Sequence, residues 1–305
     1  METPRGLVTR CQSGFYTVLP DSGGLAVICK LRGRLKLGQT QGDFIAMGDR
    51  VRFNLQPDGT GTIEEVFPRR KSLERLAPAP KGEYRQVLIA NPDQAIFLFA
   101  CANPEPHLRM LDRFLVIAEK QGLPALVVAN KVDLVGMERA REIFGHYVPL
   151  GYPVLYTSVR ERRGLDDLRA ALVGKISAFS GPSGVGKSSL LNAIQPGLGL
   201  AVRETSEASR RGRHTTVVRE LFPLEEGGFV ADTPGIRSLA LWDTQPEELD
   251  GYFPELRSRV AACQFNDCTH RDEPGCAVRQ AVEEGAIHPE RYRSYLRLRY
   301  GEEEG

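Results

Sequence analysis

The 305-residue chain has no apolar run approaching the roughly 20 residues of a membrane span, which excludes a helical membrane protein. Its opening stretch, METPRGLVTRCQSG, lacks the apolar segment of a secretory signal, so a cytoplasmic protein is expected. Net charge is scarce as well. At +1, the whole chain offers no bulk attraction for nucleic acid, and any such role has to come from local patches. Cysteine is too sparsely placed for a disulfide framework. Cys11, Cys29 and Cys101 are scattered and expected to be free thiols, whereas Cys263, Cys268 and Cys276 are clustered and point to metal. What remains, with 41% hydrophobic and 26% charged residues, is an ordinary globular composition in a chain long enough for two or three domains.

Residues 1 to about 72 carry short β-rich runs (SGFYTVLP, GLAVICKLRG, DRVRFNLQ, GTIEEVF) separated by Gly, Asp and Pro turns. Several short strands in so few residues indicate a small barrel, of SH3-like or oligonucleotide-binding (OB) type. The stretch CKLRGRLK concentrates Lys30, Arg32, Arg34 and Lys36 at even spacing, which places all four on one face if the chain stays extended. Such a face can contact RNA, and it can equally be an edge strand defended by charge. PRRKSLERLAPAPKG, at 68–82, reads as a linker.

Thereafter strands and helices alternate: QAIFLFA, HLRMLDRFLVIAEKQG, PALVVAN, ERAREIFGHY, YPVLYTS, GLDDLRAALV, KISAFSG and GKSSLLNAI. That rhythm predicts a parallel sheet with helices on both faces, over residues 73 to 240. Residues 241–305 read as a separate, mostly helical, metal-bearing unit.

GPSGVGKSS, at 181–189, fits the phosphate-loop pattern G-x-x-x-x-G-K-[ST] between an apolar strand and a helix. Gly181, Pro182, Ser183, Gly184, Val185 and Gly186 would curl backbone N–H groups round a phosphate. Lys187 would meet the β and γ oxygens, and Ser188, followed by Ser189, would ligate Mg²⁺. The run Asn130-Lys131-Val132-Asp133 ends another apolar strand, where ligands gather in open α/β sheets. The Asp133 carboxylate can accept from guanine N1–H and the exocyclic amine, a pair adenine does not offer. Thr157-Ser158 then stands where a backbone N–H reaches guanine O6. Together these residues predict GTP binding.

VADTPGIR supplies D-x-x-G through Asp232, a candidate for Mg²⁺, and Gly235, a γ-phosphate sensor. RRGRHTTVV suits a first switch, with Thr215 or Thr216 on Mg²⁺. The glutamine that often follows D-x-x-G to orient water is missing, since Ile236 stands there; His214 is the candidate to replace it. The motif order is base loop, guanine O6 motif, phosphate loop, first switch, second switch. Joining the old ends of a Ras-like domain and cutting it after the second switch produces that order, so the GTPase domain is read as circularly permuted. The permutation places the second switch directly before the C-terminal unit. Loss of the γ-phosphate is therefore expected to re-aim that unit.

Cys263, Cys268, His270 and Cys276 form C-x₄-C-x-H-x₅-C, a set suited to one tetrahedral structural Zn²⁺. Downstream, HPERYRSYLRLRY interleaves Arg291, Arg293, Arg297 and Arg299 with tyrosines. On a helix these residues could grip RNA, but packed tyrosines with solvated arginines is the favoured reading.

The motif order, CKLRGRLK, NKVD, GPSGVGKSS, RGRHTT, DTPGIR and the Cys263–Cys276 cluster together resemble the RsgA (YjeQ) family of bacterial ribosome-associated GTPases over nearly the whole chain. The resemblance implies a late role in small ribosomal subunit maturation and rRNA contact through barrel and zinc unit. It also implies GTP hydrolysis to GDP that is slow alone and stimulated by the subunit, and a catalytic part for His214. Nothing in the sequence requires more than a monomer. The rival reading is a GTP-dependent switch on some other RNA, with incidental hydrolysis. A P-loop kinase or ATPase is argued against by NKVD.

Overall fold

The structure, a computed structural model, describes residues 3–33, 43–77, 84–198, 219–232 and 244–301. Five strands build an N-terminal barrel: β1 (Arg5–Gln12), β2 (Phe15–Pro20), β3 (Val27–Leu31), β4 (Arg50–Leu55) and β5 (Gly61–Val66). β1 pairs with β2, β2 with β3, β3 with β5, β5 with β4, and β4 with β1, closing the ring. Only the β3–β5 pair is parallel, so the ring has the OB arrangement. Val8, Val18, Cys29, Val51, Phe53 and Ile63 fill it and are fully buried. β1 and β2 turn through Ser13-Gly14, both at positive φ, the two-residue hairpin geometry whose twist matches the strands. β1 has no period-2 pattern: four consecutive residues are buried, because Leu7 packs with Met47, Leu73 and Leu88 outside the barrel while Val8 fills the barrel itself. The β pattern of the sequence passes over it for that reason.

The stretch read as a linker at 68–82 contains a strand. β6 (Ser72–Ala77) pairs antiparallel with β7 (Tyr84–Ala90). One charge of the stretch is firmly engaged, and the strand that pairs with β6 is anchored to the barrel as well. Arg69 donates to both oxygens of the fully buried Asp49 at 2.8 Å, and Tyr84 and the Val87 N–H donate to the Asp43 carboxylate.

The central sheet follows the predicted rhythm: β8 (Gln94–Ala100), α1 (Leu108–Lys120), β9 (Ala125–Asn130), α2 (Met137–Phe144), β10 (Val154–Thr157), α3 (Leu165–Leu172), β11 (Ile176–Ser180), α4 (Lys187–Ile194), β12 (Arg219–Pro223) and β13 (Phe229–Asp232). Its strand order is β10-β9-β8-β11-β13-β12, parallel except for β12, which runs antiparallel to β13 and then pairs with β1. Alternation sorts the side chains. Phe97 and Phe99 pack with Leu111, Phe114, Ala140 and Phe144 of α1 and α2. Ile96 and Leu98 pack on the other face with Leu168, Leu172, Leu190 and Leu191 of α3 and α4.

The C-terminal unit contains α5 (Pro254–Arg257), α6 (Ala277–Glu283) and α7 (Pro289–Tyr300), with 3-10 turns at Pro246–Tyr252 and Val260–Ala262. Leu249, Phe253, Leu256, Ile287 and Tyr295 form its core, which takes in Val116 from α1. Among the described residues no helix is long and apolar enough to cross a membrane.

Candidate nucleotide site and metal centre

β8, β9, β10 and β11 deliver the base and phosphate loops to one edge of the sheet, at their C-terminal ends. β11 runs into the phosphate loop, where Gly181 lies against β8: a Cβ there would meet the Leu98 carbonyl oxygen at 2.1 Å. Gly184 and Gly186 adopt positive φ, and α4 starts at Lys187, so the first N–H groups of the helix open toward the loop. Val185 is the loop's anchor, buried among the α3–α4 side chains, while Pro182, Ser183, Lys187, Ser188 and Ser189 remain partly or fully accessible.

The base loop grips this loop directly. The buried Asn130 side chain donates to the Val185 carbonyl at 2.8 Å and accepts from Thr157 Oγ1 at 3.0 Å. Lys131, held at φ +60°, donates through Nζ to Gly184 O at 2.7 Å and to Asn103 O. Burial pulls the Lys131 pKa down, with Asp133 pulling the other way. Ser158 Oγ donates to Asp133 Oδ1 at 2.6 Å and accepts from the Glu161 N–H. The Asp133 carboxylate is thereby aimed by a buried hydroxyl, with Val132 buried behind it. Segments 53 and 55 residues apart in sequence are bonded into one pocket wall.

Asp232 ends β13, paired through its backbone with Phe179 of β11, which brings the second-switch strand beside the strand of the phosphate loop. Gly235, His214, Thr215 and Thr216 lie outside the described residues, as do Arg34 and Lys36 of the basic run. Of that run, Lys30 in β3 and Arg32 just after it are both exposed, with Leu31 buried between them, and Arg32 pairs with Glu64. Lys30, exposed, sits over the Phe15 ring at 5.1 Å.

A family model described as RsgA GTPase matches residues 66–242, and one for the RsgA N-terminal domain matches residues 5–63. The chain belongs to the RsgA GTPase family. It is 46% identical over 297 residues to the small ribosomal subunit biogenesis GTPase RsgA of Gemmatimonas aurantiaca, covering 96% of each chain. It is 44% identical over 291 residues to the protein of the same name from Moorella thermoacetica, covering 95% of this chain and 94% of that one. Among solved structures it resembles YjeQ from Thermotoga maritima, with TM-score 0.80, 37% identity and 98% of both chains covered. It also resembles YloQ, described as a circularly permuted GTPase, with TM-score 0.75, 32% identity, and 98% and 95% covered. The fold read from the sequence is therefore the fold of this family: a permuted GTPase sheet behind an OB barrel.

The RsgA-type C-terminal unit brings Cys263, Cys268, His270 and Cys276 together, with ligand atoms all within 4.8 Å of one another. His270 Nδ1 lies 3.6 Å from Cys263 Sγ and 3.4 Å from Cys276 Sγ. Its other nitrogen, Nε2, lies 3.2 Å from Asp250 Oδ2. Burial, the largest single influence, works against the Asp250 carboxylate, yet the hydrogen bond and charge of His270, with the Gly251 N–H and Arg299, together outweigh it and the pKa is lowered. A charged carboxylate on Nε2–H leaves the Nδ1 lone pair facing the thiols, the arrangement that orients a metal-binding imidazole. Three sulfurs and one nitrogen form a donor set able to hold a soft or borderline cation. Asp250 is an orienting group that spacing alone did not reveal.

The reading of solvated arginines fails at Arg291. It is buried, donating through Nε to Glu255 Oε1 at 2.6 Å and through Nη1 to Asp112 Oδ1 at 2.7 Å, and it stacks 4.5 Å from the Phe253 ring centroid. Burial opposes its charge, but the two carboxylates outweigh it and hold its pKa above the ordinary value. Tyr147 donates to the same Asp112 oxygen. A signal was present in the sequence: Asp112 sits between Leu111 and Leu115 on the apolar side of α1, where an unpaired carboxylate would be costly.

Proposed function

We propose that the chain is a GTPase that binds the small ribosomal subunit, acts in its late maturation and hydrolyses GTP fastest when bound there. The observation that carries the nucleotide half is the direct bonding of base loop to phosphate loop, Asn130 to Val185 O and Lys131 to Gly184 O. The ribosomal half is supported by the names its relatives bear at near-complete coverage.

The roles follow from chemistry. Asp133 selects guanine, with Asn130, Lys131, Val132, Thr157 and Ser158 framing the base. The loop from Gly181 to Ser189 cradles the phosphates, and Lys187 neutralises charge developing on the β and γ oxygens. Ser188, Asp232 and Thr215 or Thr216 supply the hard oxygen donors that would hold Mg²⁺, which would neutralise charge on the phosphates. Gly235 senses the γ-phosphate, and His214 orients the attacking water. Cys263, Cys268, His270 and Cys276 hold one structural Zn²⁺, which when bound supplies folding energy to a lobe with a small core. Lys30, Arg32, Arg34 and Lys36 contact rRNA. The three units run 1–72, 73–240 and 241–305, in a cytoplasmic monomer.

The test is GTP turnover by the purified chain, alone and with isolated small subunits, with Lys187→Ala as blank. Stimulation of about 10³-fold or more, the order typical of a completed GTPase site, is expected. Turnover unchanged by subunits would remove the ribosomal assignment and favour another RNA partner.

A further inference from the structure

The sheet has two ends. The nucleotide loops occupy the C-terminal ends of the strands, while the opposite ends face the barrel. There, between barrel and sheet, lies a cavity of about 480 Å³. Its walls come from both units: Arg5, Leu7 and Arg50 from barrel strands, Phe67 and Arg70 from the segment leaving the barrel, and Asp93, Lys175 and Phe229 from the starts of sheet strands. We propose that this cavity is a second nucleotide-binding site, which takes one residue of a single-stranded RNA, its base against Phe67 and its phosphate among Arg5, Arg70 and Lys175.

Charge is the first argument. Four cations, Arg5, Arg50, Arg70 and Lys175, line the cavity against a single carboxylate, Asp93. Arg50 is engaged by Asp21 outside the lining, and Arg70 reaches Asp93 only at 3.8 Å. Among the described residues neither Arg5 nor Lys175 pairs with a carboxylate; Lys175 donates instead to Gln94 Oε1 at 3.3 Å. An excess of positive charge in a recess between two units favours an anion and focuses its field.

Shape and surface supply the second argument. Phe67 is only half-buried, with the Arg5 and Arg52 guanidinium groups 5.4 and 5.7 Å from its ring centroid. Both guanidinium groups lie over the ring, so a base would stack there in place of one of them and leave that cation beside its phosphate. The volume falls in the range of small-ligand sites.

The third argument is that the walls are fixed before any ligand arrives. Asn91, buried at positive φ, donates to Gly48 O at 3.1 Å and accepts from the Arg70 N–H at 2.7 Å, tying the barrel to the segment that carries Arg70. The Asp93 carboxylate accepts from the Ile176 N–H at 2.8 Å, which sets the position of Lys175 beside it. Gly48 and Gly228 admit no side chain, since a Cβ would meet Ala90 O at 2.0 Å and Leu172 O at 2.7 Å.

The proposal adds an RNA contact to the function proposed above, and its failure would leave subunit-stimulated turnover untouched. With the GTP site saturated with GDP, full-length Phe67→Trp carrying Trp242→Phe is titrated with oligouridylate and with uridine monophosphate. Quenching of the new tryptophan is expected. Quenching by the oligomer alone assigns the site to a strand, and quenching by both admits the free nucleotide too. Arg70→Ala with Lys175→Ala should weaken the response about tenfold and, with one phosphate no longer neutralised, lower the slope of log affinity against log salt by roughly 0.7. A second measurement needs no tryptophan: 4-thiouridine RNA photocrosslinked to the wild-type chain should label the peptide bearing Phe67. Absence of that crosslink, while the RNA still binds elsewhere on the protein, overturns the proposal.

Discussion

Under the proposed function, Ser158 would support guanine recognition without having to touch the base. Its hydroxyl is buried, donates to Asp133 at 2.6 Å and accepts from the Glu161 N–H, so it fixes the carboxylate rotamer from behind. Ser158→Ala leaves one carboxylate oxygen to find another partner, a loss of about 1–2 kcal/mol. GDP affinity measured by titration calorimetry should fall roughly tenfold while the thermal midpoint moves little. His146 makes the opposite kind of statement, about protons. Burial, then His288 stacked 4.2 Å away, depresses its pKa to about 4, with Asp112 raising it and Arg291 lowering it. The imidazole is neutral when folded and ordinary when unfolded, so the unfolded chain binds the extra proton as pH falls. His146 therefore contributes stability that is complete above about pH 6.5 and drains away toward pH 4. His146→Phe should flatten that part of the stability–pH curve, by on the order of 1 kcal/mol once solvent screening at a half-buried site is allowed for.

At the scale of elements, the loop that carries the candidate metal ligands is held by α7. Tyr292 and Tyr295 donate their hydroxyls to the His270 and Thr269 carbonyls at 2.5 and 3.1 Å. Withdrawing the metal with a chelator under reducing conditions should raise hydrogen exchange across 263–300, while GDP affinity changes by less than about threefold, because the base and phosphate loops belong to other elements. The elements of the sheet were legible in the sequence because they are buried on both faces. QAIFLFA is apolar at nearly every position and is buried along its whole length as β8. β6 was not legible, because the linker reading took its charges and the prolines beyond it for disorder. Long-range partners such as Asp43 and Asp49, which lie on the barrel side, keep that neighbourhood ordered. The nucleotide motifs could be read because their chemistry is local and their spacing rigid. Asp112 on the apolar side of α1 signalled the need for a buried partner, but nothing in sequence spacing ties it to Arg291, or Asp250 to His270.

At the scale of the molecule, the position of the second switch just before the C-terminal unit suggested that nucleotide state re-aims that unit. The packing argues otherwise. Arg291 of α7 bridges Glu255 of α5 to Asp112 of α1, and Val116 of α1 lies inside the C-terminal core. Rotation of the unit away from α1 would separate a fully buried ion triad, at a cost of about 3–5 kcal/mol for each charge left without a partner. The loss of apolar contacts would add to that cost. α1 follows β8 and stands on the base-loop side of the sheet, where Asn130 and Lys131 hold their positions through contacts that need no γ-phosphate. We therefore expect the C-terminal unit to travel with α1 whichever nucleotide is bound. Labels placed at Glu142 in α2 and Glu283 in α6 through unnatural amino acids should give the same distance distribution with GDP and with a non-hydrolysable GTP analogue. Arg291→Ala should broaden that distribution and lower the unfolding free energy by about 3 kcal/mol or more, since Asp112 and Glu255 are left buried and facing each other. A nucleotide-dependent shift in the wild-type chain would show instead that the triad opens during the cycle and that the second switch does steer the unit it precedes.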